Sequence, residues 1–189
     1  MLKSKERHPN DAYFTPADTV QDFLAVQDVL NPGMLIWEPA CGAGNISKQL
    51  VMKGYDVYST YLHNYGYGIT GVDFLKTHKK VDAIITNPPF SVAEEFIVHA
   101  LTQADTVIMF LRLSFLEGQN RARGLWKRHT PHRVYICGKR PTLVRADYEG
   151  KQLAGFVAYA WFVWKKGSAE SKLEWIIDTG VGNKQVRLF

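Results

Sequence analysis

Two short stretches of the chain carry residue types that could do chemistry together. The first is Asp82-Ala83-Ile84-Ile85-Thr86-Asn87-Pro88-Pro89-Phe90. A largely apolar run ends there in an amide side chain, two prolines and an aromatic ring. Proline lacks an N–H and fixes φ, so the backbone around Pro88 and Pro89 offers carbonyl acceptors rather than donors. The Asn87 carbonyl and such a backbone carbonyl can together accept both hydrogens of an amino group. The Phe90 ring can stack on the plane that carries that amine. The arrangement suits a flat heterocycle with an exocyclic amine. The alternative is a turn that merely ends a strand.

The second stretch is Glu38-Pro39-Ala40-Cys41-Gly42-Ala43-Gly44, directly after the apolar run Met34 to Trp37. Glycines between a strand and a helix let a ligand approach the backbone closely. The helix amides then point into the crevice at the sheet's carboxyl edge. A dinucleotide-binding turn needs a third glycine, and Ser47 occupies its place. The turn therefore fits a nucleoside without a pyrophosphate, or a tight turn with no ligand at all.

These turns need elements to position them. Asp11 to Pro16 is rich in turn signals, with Asp11 a candidate for a cap or a ligand contact. Pro16 opens a helical pattern to about Leu30, with Phe23, Val26 and Leu30 on one face, and Asn31-Pro32-Gly33 ends it. Met34 to Trp37, Val57 to Thr60, Val81 to Thr86, Thr106 to Leu111, Val134 to Cys137 and Gly155 to Val163 read as strands. Asn45 to Lys53, Val92 to Thr102 and a basic stretch from Leu116 to Arg128 read as helices. His63 to Gly71 reads as a loop, and Lys165 to Phe189 as a loop with a short terminal element. Alternating helices and strands predict an α/β fold with a mostly parallel sheet. The aromatic run Phe156 to Trp164 is expected to pack in the core.

The chain has 189 residues, 46% hydrophobic and 22% charged, which suits one globular domain. We expect a flexible tail over residues 1–10 and a single domain over 11–189. No apolar run approaches the roughly 20 residues that span a membrane, and Met1 to Asn10 is polar and basic. The expected location is therefore the cytoplasm. Cys41 and Cys137 are far apart and make no disulfide framework. His129, His132 and Cys137 are loosely spaced, and no metal site is expected. The net charge of +5 is concentrated: Arg112 to Lys151 alone carries +7. That window suits a polyanion or is a solvated basic face. Arg121, Arg123, Arg128 and Arg140 are its candidates for nucleic-acid contact.

In order along the chain, Tyr13-x-Thr15-Pro16, Glu38-Pro39-Ala40-Cys41-Gly42-Ala43-Gly44, Asp73-Phe74 and Asn87-Pro88-Pro89-Phe90 resemble the adenine-N6 DNA methyltransferases, especially the small phage-encoded ones. The resemblance covers most of residues 11–165, and Asn-Pro-Pro-Phe is its most specific element. It implies a Rossmann-like, mostly parallel seven-stranded sheet with helices on both faces. It implies S-adenosylmethionine as cofactor, and DNA as partner, with RNA the other polymer to consider. By resemblance, Tyr13, Thr15 and Pro16 line the methionine end of the cofactor. Glu38, Ala40, Gly42 and Gly44 form its wall, and Asp73 and Phe74 lie by its adenine. Asn87 and Pro88 hold the target amine and Phe90 stacks on a flipped base.

One position departs from the pattern. The family places an acid at the end of the second strand for the ribose hydroxyls, and here the residue is Tyr61. Three other readings follow. Related sites methylate adenine in RNA or glutamine in protein, and Tyr61 fits a catalytically silent nucleic-acid-binding or decoy protein on the same scaffold.

Overall fold

The computed structural model describes residues 12–145 and 155–177. The expected tail over 1–10, Asp11, the end of the basic window (146–151), residues 152–154 and the last residues (178–189) lie outside them.

Strand β1 (Tyr13–Phe14) leads into helix α1 (Ala17–Val26). The helix stops short of the expected Leu30. The Gln27 side-chain carbonyl accepts from the N–H groups of Val29 and Leu30, turning the chain before Asn31-Pro32-Gly33. Strand β2 (Leu35–Glu38), helix α2 (Asn45–Met52) and strand β3 (Asp56–Tyr61) follow. The expected loop after β3 holds a two-residue strand, β4 (Ile69–Thr70). Strand β5 (Val81–Thr86), helix α3 (Ala93–Gln103) and strand β6 (Ala104–Arg112) complete the first half.

The expected basic helix is broken. A 3-10 turn (Leu113–Leu116) precedes α4 (Gln119–Arg123) and α5 (Leu125–Arg128). Gly118, at φ +106°, and Gly124 separate these pieces. Strands β7 (Arg133–Cys137), β8 (Val144–Arg145), β9 (Tyr159–Lys165) and β10 (Lys172–Ile176) end the described chain. The last of these falls in the stretch expected to be mostly loop.

Among the described residues the main sheet has eight strands in the order β10-β7-β9-β6-β5-β2-β3-β4, one more than the seven the resemblance implies, and β4 and β10 are the two that no strand pattern marked. Only β9 runs against its neighbours, β6 and β7. Side chains alternate across the sheet. Ile36, Ala83, Ile85, Ile108 and Phe110 pack on the α1 and α2 side. Trp37, Ile84, Val107, Met109 and Leu111 pack with α3 on the other. A sheet buried on both faces explains the near-continuous apolar runs of β5 and β6. As expected, the aromatics of β9 are core: Tyr159, Trp161, Phe162 and Trp164 are buried, whereas Phe156, before the strand, is exposed. Among the described residues no helix is long and apolar enough to cross a membrane.

The topology decides where a ligand can sit. From β2 the chain moves outward to β3 and β4, then returns to place β5 on the other flank of β2. A crevice opens at the carboxyl ends where the winding direction reverses. The Gly42–Gly44 turn leaves β2 there, and Asn87-Pro88-Pro89-Phe90 leaves β5 there.

Candidate active site

Asn87 is the first residue beyond β5, and its amide is held by the leading segment of the chain. Its Nδ2 donates to the Tyr13 carbonyl at 2.8 Å and to Thr15 Oγ1 at 3.1 Å. Its Oδ1 is buried and has no hydrogen-bond partner among the described residues. A buried acceptor without a donor is costly, and among the described residues this one stands unpaired at the switch point. Thr15 also takes part in a second tie, since its carbonyl accepts from Asn45 Nδ2 at 3.1 Å at the start of α2. The Tyr13-x-Thr15-Pro16 segment thus clasps both functional turns.

Phe90 lies beside this acceptor. Its ring stacks on Tyr13, with centroids 5.7 Å apart and planes at 25°. The Arg112 guanidinium lies 4.8 Å from the Phe90 centroid. Arg112 is itself hydrogen-bonded to the Tyr159 phenol, which burial pushes up from its ordinary pKa. A cleft of about 160 Å³ opens next to Phe90, lined by Leu111, Arg112, Ser114, Phe115 and Arg121 among others. Tyr159 and Arg112 were not legible as site residues in the sequence, because β9 reaches this place only through its antiparallel register with β6, which pairs the two directly.

On the β2 side, the turn is shaped for close approach. Gly42 and Gly44 have φ of +54° and +79°, a region that costs an L side chain energy. A Cβ at Gly42 would lie 2.7 Å from the Phe14 ring, and one at Gly44 would lie 2.5 Å from the Tyr67 ring. Two aromatic rings therefore stand over the turn. Phe14 meets Tyr65 edge-on, and Tyr65 packs against Tyr61. The Cys41 thiol donates to the Tyr67 carbonyl at 3.5 Å and anchors this loop to the turn.

Glu38 does not face the rings. It is buried, and its carboxyl oxygen accepts from the Ser47 N–H at 2.7 Å and from the Ser47 hydroxyl. Ser47 Oγ lies 2.6 Å from Ser59 Oγ, so β2, α2 and β3 are joined through one carboxyl group. Burial pushes Glu38 up to about 8, against the opposing pull of its bonds to Ser47. The other expected cofactor residues separate. Asp73 caps a 3-10 turn through the Leu75 N–H and pairs with Lys76 at 3.1 Å. The Phe74 ring lies in the core against Trp37, Phe96 and His99.

The candidate nucleic-acid residues differ in freedom. Arg123, Arg128 and Arg140 are exposed. Arg121 is occupied: its Nε donates to the Phe115 and Glu117 carbonyls at 2.9 and 3.0 Å, and it pairs with Glu94 at 3.3 Å.

No family model and no curated protein matches the chain in sequence. Solved structures do. A Pyrococcus horikoshii protein described as an RNA methyltransferase superposes with a TM-score of 0.60, covering 86% of this chain and 92% of its own at 16% identity. The chain has the fold of the Rossmann-like methyltransferases. The methyltransferase subunit of a type I restriction-modification system from Streptococcus thermophilus is similar to it, with a TM-score of 0.58 at 12% identity over 83% of this chain. This chain matches only 45% of that subunit's length. A third similar structure is the magnesium protoporphyrin IX methyltransferase of Synechocystis PCC 6803 with bound S-adenosylmethionine, at a TM-score of 0.51 and 17% identity, covering 79% of this chain and 78% of that one.

The residues at the switch point can be tested against that cofactor. The methyltransferase crevice needs a turn without Cβ atoms and flat walls for a nucleoside beside a sulfonium. Gly42 and Gly44 supply the first; Phe14, Tyr65 and Tyr67 supply aromatic rings that suit an adenine plane and a cation. At the end of β3 the buried Tyr61 offers no carboxylate to a ribose. The turn and its walls fit the group, and the ribose position fits it less well than an acid would.

Proposed function

We propose that this protein is an S-adenosylmethionine-dependent methyltransferase acting on adenine N6 in DNA, with the target base turned out of the helix stack. The observation that carries the reading is the Asn87 amide, whose donors are consumed by Tyr13 and Thr15 while Oδ1 is left buried without a partner among the described residues. When bound, the cofactor supplies an electrophilic methyl group. Ala40, Gly42, Gly44, Tyr13 and Pro16 would hold it.

The chain's own residues then do three things. Asn87 Oδ1 and the Pro88 carbonyl accept the two amine hydrogens, so that the nitrogen lone pair is directed away from them. Phe90 offers its ring to the extruded base, and Tyr13, now stacked on Phe90, gives way to it. Core packing around β5 holds these groups in place, so the acceleration comes from positioning and electrostatics. The exposed Arg123, Arg128 and Arg140 meet the phosphates. The names of the similar restriction-modification subunit and RNA methyltransferase support a nucleic-acid substrate. The test is labelled-methyl transfer to separate DNA, RNA and protein pools, followed by identification of the modified group. N6-methyladenine in DNA is expected, and label in RNA or on glutamine instead would move the substrate assignment.

Tyr61 favours a second reading, a silent nucleic-acid-binding protein on this scaffold. Calorimetric titration separates the two, because the silent protein gives no heat with S-adenosylmethionine while still binding DNA.

A further inference from the structure

We infer that Thr15 is a positioning residue for Asn87, holding its amide at the torsion that keeps Oδ1 toward the substrate; this rests on the reading of Asn87 as the acceptor of the target amine. An asparagine amide presents an oxygen or an NH2 group depending on a flip about its last torsion, and only one orientation can accept from an amine. The Tyr13 carbonyl decides it here, and the Thr15 hydroxyl holds the result. The Tyr13 carbonyl can only accept, so it requires the Nδ2 end at 2.8 Å. Thr15 Oγ1 stands 3.1 Å from the same nitrogen as a second acceptor. Both Nδ2 hydrogens are then used, and among the described residues Oδ1 is left without a partner.

Thr15 is well placed to act as a fixed reference. It is 2% exposed, and its carbonyl is tied to Asn45 at 3.1 Å. Its hydroxyl therefore cannot drift from Asn87 without loosening the start of α2. The flipped amide would bring the Asn87 oxygen against the Tyr13 carbonyl and present a donor to the amine, so Tyr13 selects the end, and Thr15 Oγ1, by taking the second Nδ2 hydrogen, holds the amide at that torsion. Without Thr15 Oγ1 one Nδ2 hydrogen loses its acceptor and the Tyr13 carbonyl alone holds the amide. This role differs from the cofactor contact that the family resemblance implies for Thr15, and the two roles separate in measurement.

The experiment compares Thr15→Val, which removes the acceptor at nearly constant shape, with Thr15→Ser, which keeps it. The first readout is hydrogen exchange of the Asn87 side-chain amide, identified in NMR spectra by its loss in Asn87→Ala. The amide is expected to exchange about tenfold faster in Thr15→Val and at the parent rate in Thr15→Ser, as for loss of one neutral hydrogen bond. The second readout is single-turnover methyl transfer with cofactor affinity measured separately. A fall of about tenfold in rate in Thr15→Val, cofactor dissociation constant unchanged and rate restored in Thr15→Ser, is the expected result. Equal loss of affinity and rate would assign Thr15 to the cofactor and overturn the inference. So would unchanged exchange of the Asn87 amide. Should Thr15→Val fail to fold, Thr15→Ala against Thr15→Ser makes the same comparison. If the parent transfers no methyl group, the proposed function fails, and the exchange measurement still decides whether Thr15 orients Asn87.

Discussion

At the residue scale, the site rests on a few side chains whose roles are separable. Asn87 has one proposed task, accepting from the target amine, and it lies on β5 while the glycine turn lies on β2. Asn87→Ala is therefore expected to slow single-turnover methyl transfer by about 10²–10³, as for loss of one positioned donor at an oxyanion, with cofactor affinity intact. Phe90→Ala removes only a stacking face. Its expected effect is weaker capture of the extruded base, by roughly 1–3 kcal/mol, seen as a raised DNA concentration for half-maximal rate. Tyr61 sets up a trade. It is 7% exposed and packs on His63 and Tyr65, so Tyr61→Asp buries a carboxylate and should lower the melting temperature of the free protein. The same carboxylate could accept from ribose hydroxyls, and cofactor affinity is expected to rise. Calorimetry and thermal melts together check this, and a mutant that binds no more tightly would mean the ribose has another partner.

At the element scale, Glu38 is a structural joint. Through Ser47 and Ser59 it holds β2, α2 and β3 in register beneath the glycine turn. Its carboxyl is pushed from 4.5 to about 8 by burial. The folded state thus keeps a proton that the unfolded chain releases, and stability falls as pH rises through that interval. Thermal unfolding at pH 5 and pH 8 is expected to show the parent losing stability over this range from Glu38. In Glu38→Gln that part of the slope should vanish, since the amide does not ionise. An identical pH slope in both proteins would show that Glu38 stays charged in the fold.

Across the whole molecule, charge and fold have been put to different uses. The +7 window from Arg112 to Lys151 sits in a chain of net +5, and the broken helix at Gly118 and Gly124 spreads its arginines. Arg121 is turned inward to Glu94 and two carbonyls, whereas Arg123, Arg128 and Arg140 face solvent. Neutralising those three is expected to lower the log–log salt slope of duplex binding by about 0.9 for each phosphate left without its arginine. Arg121→Gln should instead lower thermal stability. Filter binding across a salt series, beside melts of each variant, distinguishes a phosphate-binding arginine from a brace.

The sequence by itself determined the alternation of elements, the two turns and their chemistry. Gly42-Ala43-Gly44 and Asn87-Pro88-Pro89-Phe90 are local signals, because backbone freedom and acceptor geometry are properties of adjacent residues. The bounds of α1 and the break in the basic helix were not legible. They depend on the Gln27 side chain capping a turn and on the backbone angle at Gly118, and an isolated glycine in a helical pattern lowers the helix signal without locating a break. Strand β10 was hidden because Lys172–Ile176 is a sheet edge whose outer residues, Leu173 and Trp175, are exposed, so no regular burial pattern marks it. Tertiary structure alone decided that Phe74 is core, that Glu38 turns toward Ser47, and that Tyr13 and Thr15 hold Asn87 across 74 and 72 residues of chain. Each of these follows from which strands lie side by side, and strand order is fixed by the packing of the whole sheet rather than by any stretch of residues.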